Sequence, residues 1–93
     1  MDRLDAMAAF VAAVDEGSLA GAARRLGRSP AGVTRAIAAL EERLGTALLR
    51  RTTRALHLTA FGETYLATCQ RVLADLAEAE GGRPGSRSAR AAS

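Results

Sequence analysis

Apolar positions recur along this chain with two different periods, and the change between them divides it. Leu4, Met7, Phe10, Val11 and Val14 fall at helical spacing and predict a first helix from Arg3 to Asp15, stopped by Glu16-Gly17. Ser18 then offers a side-chain oxygen to the free N–H groups of a helix start. Leu19, Ala22, Ala23 and Leu26 make a short second helix, and Gly27 ends it. Ser29-Pro30 restarts the chain as an N-cap followed by proline at the first helical position, where a missing N–H is harmless. Val33, Ile37, Leu40 and Leu44 face inward, which leaves Ala31, Thr34, Arg35 and Ala38 pointing elsewhere, and Gly45 closes this third helix. Two helices joined by a short turn containing glycine describe a helix-turn-helix.

From Leu48 to Leu58 the helical period is lost. Leu56 and Leu58 alternate with His57, and Arg51-Thr52-Thr53-Arg54 lies between two short apolar pieces, predicting a two-stranded hairpin with a basic tip, a wing. Thr59 caps a long fourth helix from about Ala60 to Glu80. There Tyr65, Cys69, Val72 and Leu76, joined by Leu66 and Leu73, approach heptad spacing and suit packing against a partner helix, with Cys69 in the seam. Gly81-Gly82-Arg83-Pro84-Gly85 stops that helix, and Ser86 to Ser93 has no apolar periodicity. The expected architecture is mainly α. A winged helix-turn-helix of three helices and a two-stranded wing spans 1–59, a dimerisation helix 60–80, and a disordered tail 81–93.

Ninety-three residues make one small domain, whose modest core dimerisation would supplement. No apolar run approaches the ~20 residues of a membrane span, and the start does not resemble a secretory signal. The single Cys69 cannot form an internal disulfide, so a reducing cytoplasm is the expected location. Net charge is only +3, but its distribution is uneven. Arg24 to Arg54 holds eight arginines against Glu41 and Glu42, while the flanking segments 1–23 and 55–80 are each net acidic. A basic segment between acidic helices is the footprint of a phosphate-binding face. All the basic residues are Arg, which suits bidentate contacts to phosphate and guanine.

Catalysis is not expected. No nucleophile–base pair, paired carboxylates or glycine-rich phosphate loop is present, and one His with one Cys cannot build a zinc site. His57 is expected to face solvent, and no cofactor is implied.

An ordered set of residues runs through the chain. It comprises Met1-Asp2-Arg3-Leu4, Phe10-Val11, Gly17-Ser18, Ala22-Ala23, Leu26, Ser29, Val33-Thr34-Arg35, Ile37 and Leu40-Glu41. Leu44-Gly45, Leu48, Arg51-Thr52-Thr53-Arg54, Leu58-Thr59 and Gly62 complete it. In this order and spacing, over roughly residues 1 to 80, the chain resembles the LysR-type transcriptional regulators. The resemblance implies a third helix that enters the major groove, a wing along the backbone or minor groove, and a fourth helix that dimerises the domain.

Carried onto this sequence, the resemblance implies DNA contacts from Ser29, Pro30, Thr34 and Arg35 and from Arg51, Thr52, Thr53 and Arg54 of the wing. Pro30 stands where the family often has Gln, so reading there would be apolar, to a thymine methyl for example. Thr34 keeps the hydroxyl of the family's usual Ser, and Arg35 can donate twice to guanine O6 and N7. Arg54 is the candidate for the minor groove, whereas Arg51 either contacts DNA or pairs with Glu41 to brace the wing. Arg24, Arg25, Arg28 and Arg50 are secondary phosphate candidates. The dimer residues implied are Tyr65, Leu66, Cys69, Val72, Leu73 and Leu76.

The expected function is sequence-specific binding of double-stranded DNA, at an interrupted inverted repeat, by a homodimer that regulates transcription. LysR-type regulators continue into a two-lobed effector-binding domain, for which these residues leave no room. An excised fragment, a truncated or frame-shifted product and a natural short form all fit. The alternative function is protein pairing, the fourth helix capturing a full-length relative in a heterodimer.

Overall fold

The computed structural model describes residues 3–52 and 55–81. The elements run α1 (Arg3–Glu16), α2 (Leu19–Leu26), α3 (Pro30–Leu44), β1 (Leu49–Arg51), β2 (Leu56–Leu58) and α4 (Ala60–Gly81). The mainly helical winged helix-turn-helix expected from the sequence is the observed fold. Of the tail expected to be disordered over 81–93, Gly81 instead forms the last residue of α4, and the rest lies outside the described residues.

Local chemistry explains the breaks. The Ser18 hydroxyl accepts from the Gly21 N–H at 2.9 Å and caps α2, and the Ser29 hydroxyl accepts from the Gly32 N–H at 3.0 Å and caps α3. Between them Gly27 takes φ +69°, a left-handed conformation that costs glycine little and turns the chain from α2 into α3.

α1 is the central element and packs against α2, α3 and α4. Its apolar stripe is buried at Met7, Phe10 and Val11, while Val14 is half-buried and Leu4 remains 39% exposed. Ala6, Ala9, Ala12 and Ala13 are buried too, because a helix with three neighbours has more than one inner face. Ala22, Ala23 and Ala36 are buried with them, small side chains that take little room between helices. Phe10, Ile37, Leu40, Leu48, Val33 and Cys69 fill the remaining space.

β1 and β2 pair antiparallel with Leu49 opposite Leu58, Arg50 opposite His57 and Arg51 opposite Leu56. His57 is exposed, as expected of it. α4 then runs back across α1, and its far end gives the molecule its long dimension, 45 × 24 × 24 Å. Phe10 of α1 meets Tyr65 of α4 at 6.3 Å between ring centroids, and Phe61 stacks on Tyr65 at 5.7 Å.

One expectation about α4 is corrected. Cys69 was placed in the seam between helices of two subunits, but its side chain is wholly enclosed by its own subunit, 0% exposed. It belongs to the domain's own core cluster, which spacing does not reveal because core-facing and seam-facing residues recur at the same interval on one helix. Burial pushes its thiol up to about 11. Tyr65 is raised as well, chiefly by burial and then by Cys69, against the opposing pull of Arg3 and Arg43.

Candidate nucleic-acid interface

The outer face of α3 is assembled by subtraction. Val33, Ala36, Ile37 and Leu40 are committed to the core. What stays outside is Ala31, Arg35 and Ala38, all exposed, with Thr34 half-exposed beside them. Residues three and four apart neighbour one another on a helix, so these four form one strip with small apolar groups at its ends and a hydroxyl and a guanidinium at its centre. Ser29 and Pro30 lie exposed at its N-terminal end. The Ser29 hydroxyl is occupied by the Gly32 N–H, so its first role is to start the helix.

The wing stands at the other end of the basic segment. Arg50 and Arg51 on β1 are exposed. Thr52 holds the tip: its N–H and its hydroxyl both donate to the Ala55 carbonyl at 3.1 Å, and the Ala55 N–H donates back to the hydroxyl. The hydroxyl proton of Thr52 is therefore spent on the turn. Thr53 and Arg54, the other predicted tip contacts, lie outside the described residues. Arg51 and Thr52 line a shallow groove of about 240 Å³ with Ser18 and Leu19, so the tip end of the wing lies beside the start of α2.

Two expected partnerships change. Arg51 was a possible mate for Glu41, but the Glu41 carboxylate instead accepts the backbone N–H groups of Leu48 at 2.8 Å and Leu49 at 3.2 Å. Arg25, counted among the phosphate candidates, bridges to Asp15 at 3.1 Å and Glu16 at 3.7 Å and ties α2 to the end of α1. Both sides of that bridge are nearly half exposed, so it is worth little energetically.

Behind the interface the sequence shows Thr59 as a helix cap but not the junction it makes with Ala47 and Leu48. Thr59 caps α4, its hydroxyl accepting from the Gly62 N–H at 2.9 Å and donating to the Ala47 carbonyl at 2.8 Å. Its N–H reaches the Leu48 carbonyl at 3.0 Å. Gly62 packs so tightly on that carbonyl that a Cβ there would collide with it. A threonine three residues before a glycine is the available signal, but it announces only a helix start. Contact with Leu48 depends on the fold.

The model of the family described as "Bacterial regulatory helix-turn-helix protein, lysR family" matches residues 4–63, from α1 through the wing to the start of α4. This chain belongs to the LysR family. Among LysR-type and other helix-turn-helix relatives, it is 49% identical over 80 residues to the HTH-type transcriptional repressor PA14_22550 of Pseudomonas aeruginosa, covering 86% of this chain and 25% of that protein. It is 45% identical over 71 residues to the regulator CrgA of Neisseria meningitidis, covering 76% of this chain and 24% of that one. The chain thus spans about a quarter of the length of these curated relatives.

Solved structures agree on the fold. A crystal structure of the CbnR DNA-binding domain in complex with DNA superposes with TM-score 0.79 at 37% identity, covering 99% of this chain and 100% of that one. The BenM DNA-binding domain with catB site 1 DNA gives 0.78 at 31% identity, over 83% of each chain.

Proposed function

We propose that this chain is the DNA-gripping part of a LysR-type transcriptional regulator, binding double-stranded DNA sequence-specifically as a dimer. The observation that carries the proposal is the strip on α3. A helix packed at the molecular surface leaves Ala31, Thr34, Arg35 and Ala38 outward, in a fold whose near-complete counterpart was crystallised on DNA. Major-groove reading needs this kind of face: a fork-shaped donor for guanine, a hydroxyl, and small apolar groups that admit close approach. Pro30, Ser29 and the helix start lie at the leading end, and Arg51 with the wing grips the flanking backbone. Residues 1–59 form the binding unit and 60–80 the dimerising helix. Two recognition helices then meet successive major grooves about 34 Å apart, at an interrupted inverted repeat.

Selection of bound duplexes from a random pool, followed by titration, tests the proposal. An inverted repeat should emerge. If each subunit neutralises about four phosphates, log K falls against log salt with a slope near −7. Arg35→Ala should cost about 1–3 kcal/mol and relax one position of each half-site. A uniform loss across all sequences would make Arg35 a phosphate contact. Recovery of no motif by a folded dimer would move the function to protein pairing through α4.

A further inference from the structure

The corner between α3 and the wing is organised by one residue. The main-chain carbonyl of Glu41 accepts the Gly45 N–H at 2.8 Å and the Thr46 N–H at 3.2 Å, closing α3. The side chain of the same residue reaches past that turn, and one carboxylate oxygen accepts the N–H groups of Leu48 and Leu49. Four of the five backbone N–H groups from Gly45 to Leu49, all but that of Ala47, thus converge on a single residue of the recognition helix.

The opposite side of the corner is held equally firmly. The Leu48 carbonyl takes the Thr59 N–H, and the Leu48 side chain is 0% exposed in the core. The peptide groups flanking Leu48 are therefore fixed from α3 through Glu41 and from α4 through Thr59. β1 begins at the next residue, and Arg51 sits three residues beyond Leu48. At about 3.3 Å per residue, Arg51 lies roughly 10 Å out along the strand, so a tilt of about 20° at the corner swings it by about 3.5 Å. That exceeds the tolerance of a charge-assisted hydrogen bond.

We propose that Glu41 is the positioning residue of the wing. Held on the recognition helix, it sets the direction in which β1 departs and so the spacing between base-reading and backbone-gripping halves of one interface. It touches no DNA itself. The proposal rests on the DNA-binding function above, and the first measurement separates the two: if the parent chain binds no duplex, that function fails before Glu41 is tested.

The test is a double-mutant cycle on the selected duplex, with folding followed by circular dichroism. Glu41→Ala should weaken binding about tenfold, on the scale of a lost charge-assisted hydrogen bond, and make the salt slope shallower. Arg51→Ala should weaken binding in the parent but hardly at all in the Glu41→Ala background, whereas Arg35→Ala should cost the same in both. Glu41→Gln keeps an acceptor oxygen and should stay within about threefold of the parent. If Glu41→Ala fails to fold, Glu41→Asp replaces it in the cycle, since a carboxylate one methylene shorter no longer spans to Leu48. Additive effects of Glu41 and Arg51 with an unchanged salt slope would overturn the proposal. So would an Arg51→Ala variant that costs nothing in the parent, because the wing would then carry nothing for Glu41 to position.

Discussion

The two halves of α4 share one helical spacing, yet they live in different surroundings. Over 60–69 the helix is capped by Thr59, seated on the Leu48 carbonyl at Gly62, joined to α1 through Phe10 and Tyr65, and closed into the core at Cys69. Over 70–81 no residue is fully buried: Val72 and Leu73 are half-buried and Leu76 is 37% exposed. One helix thus serves first as a wall of the domain and then as a face with no cover in the single subunit. Leu4 of α1 lines a shallow groove with Val72, Asp75, Leu76 and Ala79, so the uncovered part includes the start of α1. Stability should depend on the first half and association on the second.

The strongest way to break this contrast is Gly62→Ala. Alanine in place of a helical glycine gains up to about 1 kcal/mol in propensity. Against that, the new methyl would collide with the Leu48 carbonyl, which Thr59 holds in place and which cannot yield without losing its hydrogen bond. Overpacking of this kind costs about 3 kcal/mol. The net loss of about 2 kcal/mol should lower the melting temperature by roughly 10 °C in a domain of this size. A thermal scan showing an unchanged or raised midpoint would mean that α4 is not seated on the Leu48 carbonyl.

Cys69 sharpens the same contrast at smaller cost. Cys69→Ala removes one buried atom from a closed core and should destabilise by about 1 kcal/mol. The raised thiol gives a second readout. With its pKa moved from 9.0 to about 11 in the folded chain, the protonated thiol favours the fold. Its stabilising effect is complete below about pH 9 and is lost as pH rises through about 11, because the unfolded chain ionises first. Alkylation at pH 8 should therefore be slow in the folded chain and fast in denaturant, with a rate independent of protein concentration. Acceleration on dilution would return Cys69 to a seam between subunits.

Much of the fold was legible because its signals are local. Ser18, Ser29 and Gly27 act within a few residues of themselves, and the outward strip of α3 follows from the spacing of Val33, Ile37 and Leu40 alone. The site behind the strip was less legible for a physical reason. A pair with Glu41 was one of two readings open for Arg51, since charge is visible in a sequence and a backbone N–H turned inward at Leu48 is not. The turn that the Thr52 hydroxyl closes was hidden for the same reason. In α4, near-heptad spacing marked Tyr65, Leu66, Cys69, Val72, Leu73 and Leu76 alike. Periodicity reports which residues share a face, and says nothing about whether that face meets its own domain or a second copy.

Leu76 offers the mildest perturbation and separates the two roles most cleanly. Leu76→Glu places a charge beside Asp75 on a surface already open to water, so the domain itself should lose no more than about 0.5 kcal/mol. If the second half of α4 is the dimer face, the same change removes an apolar contact and adds like charge across the symmetry axis, where it must be desolvated. Sedimentation equilibrium should then show a weakened dimer, by roughly 2 kcal/mol, about 1 kcal/mol for the remaining apolar surface of Leu76 on each side. DNA affinity should fall with it, because half-site binding forfeits the second recognition helix. A variant that melts early, as Gly62→Ala should, would place Leu76 in the domain's own core. One that melts normally and still dimerises would leave the outer half of α4 without the role assigned to it.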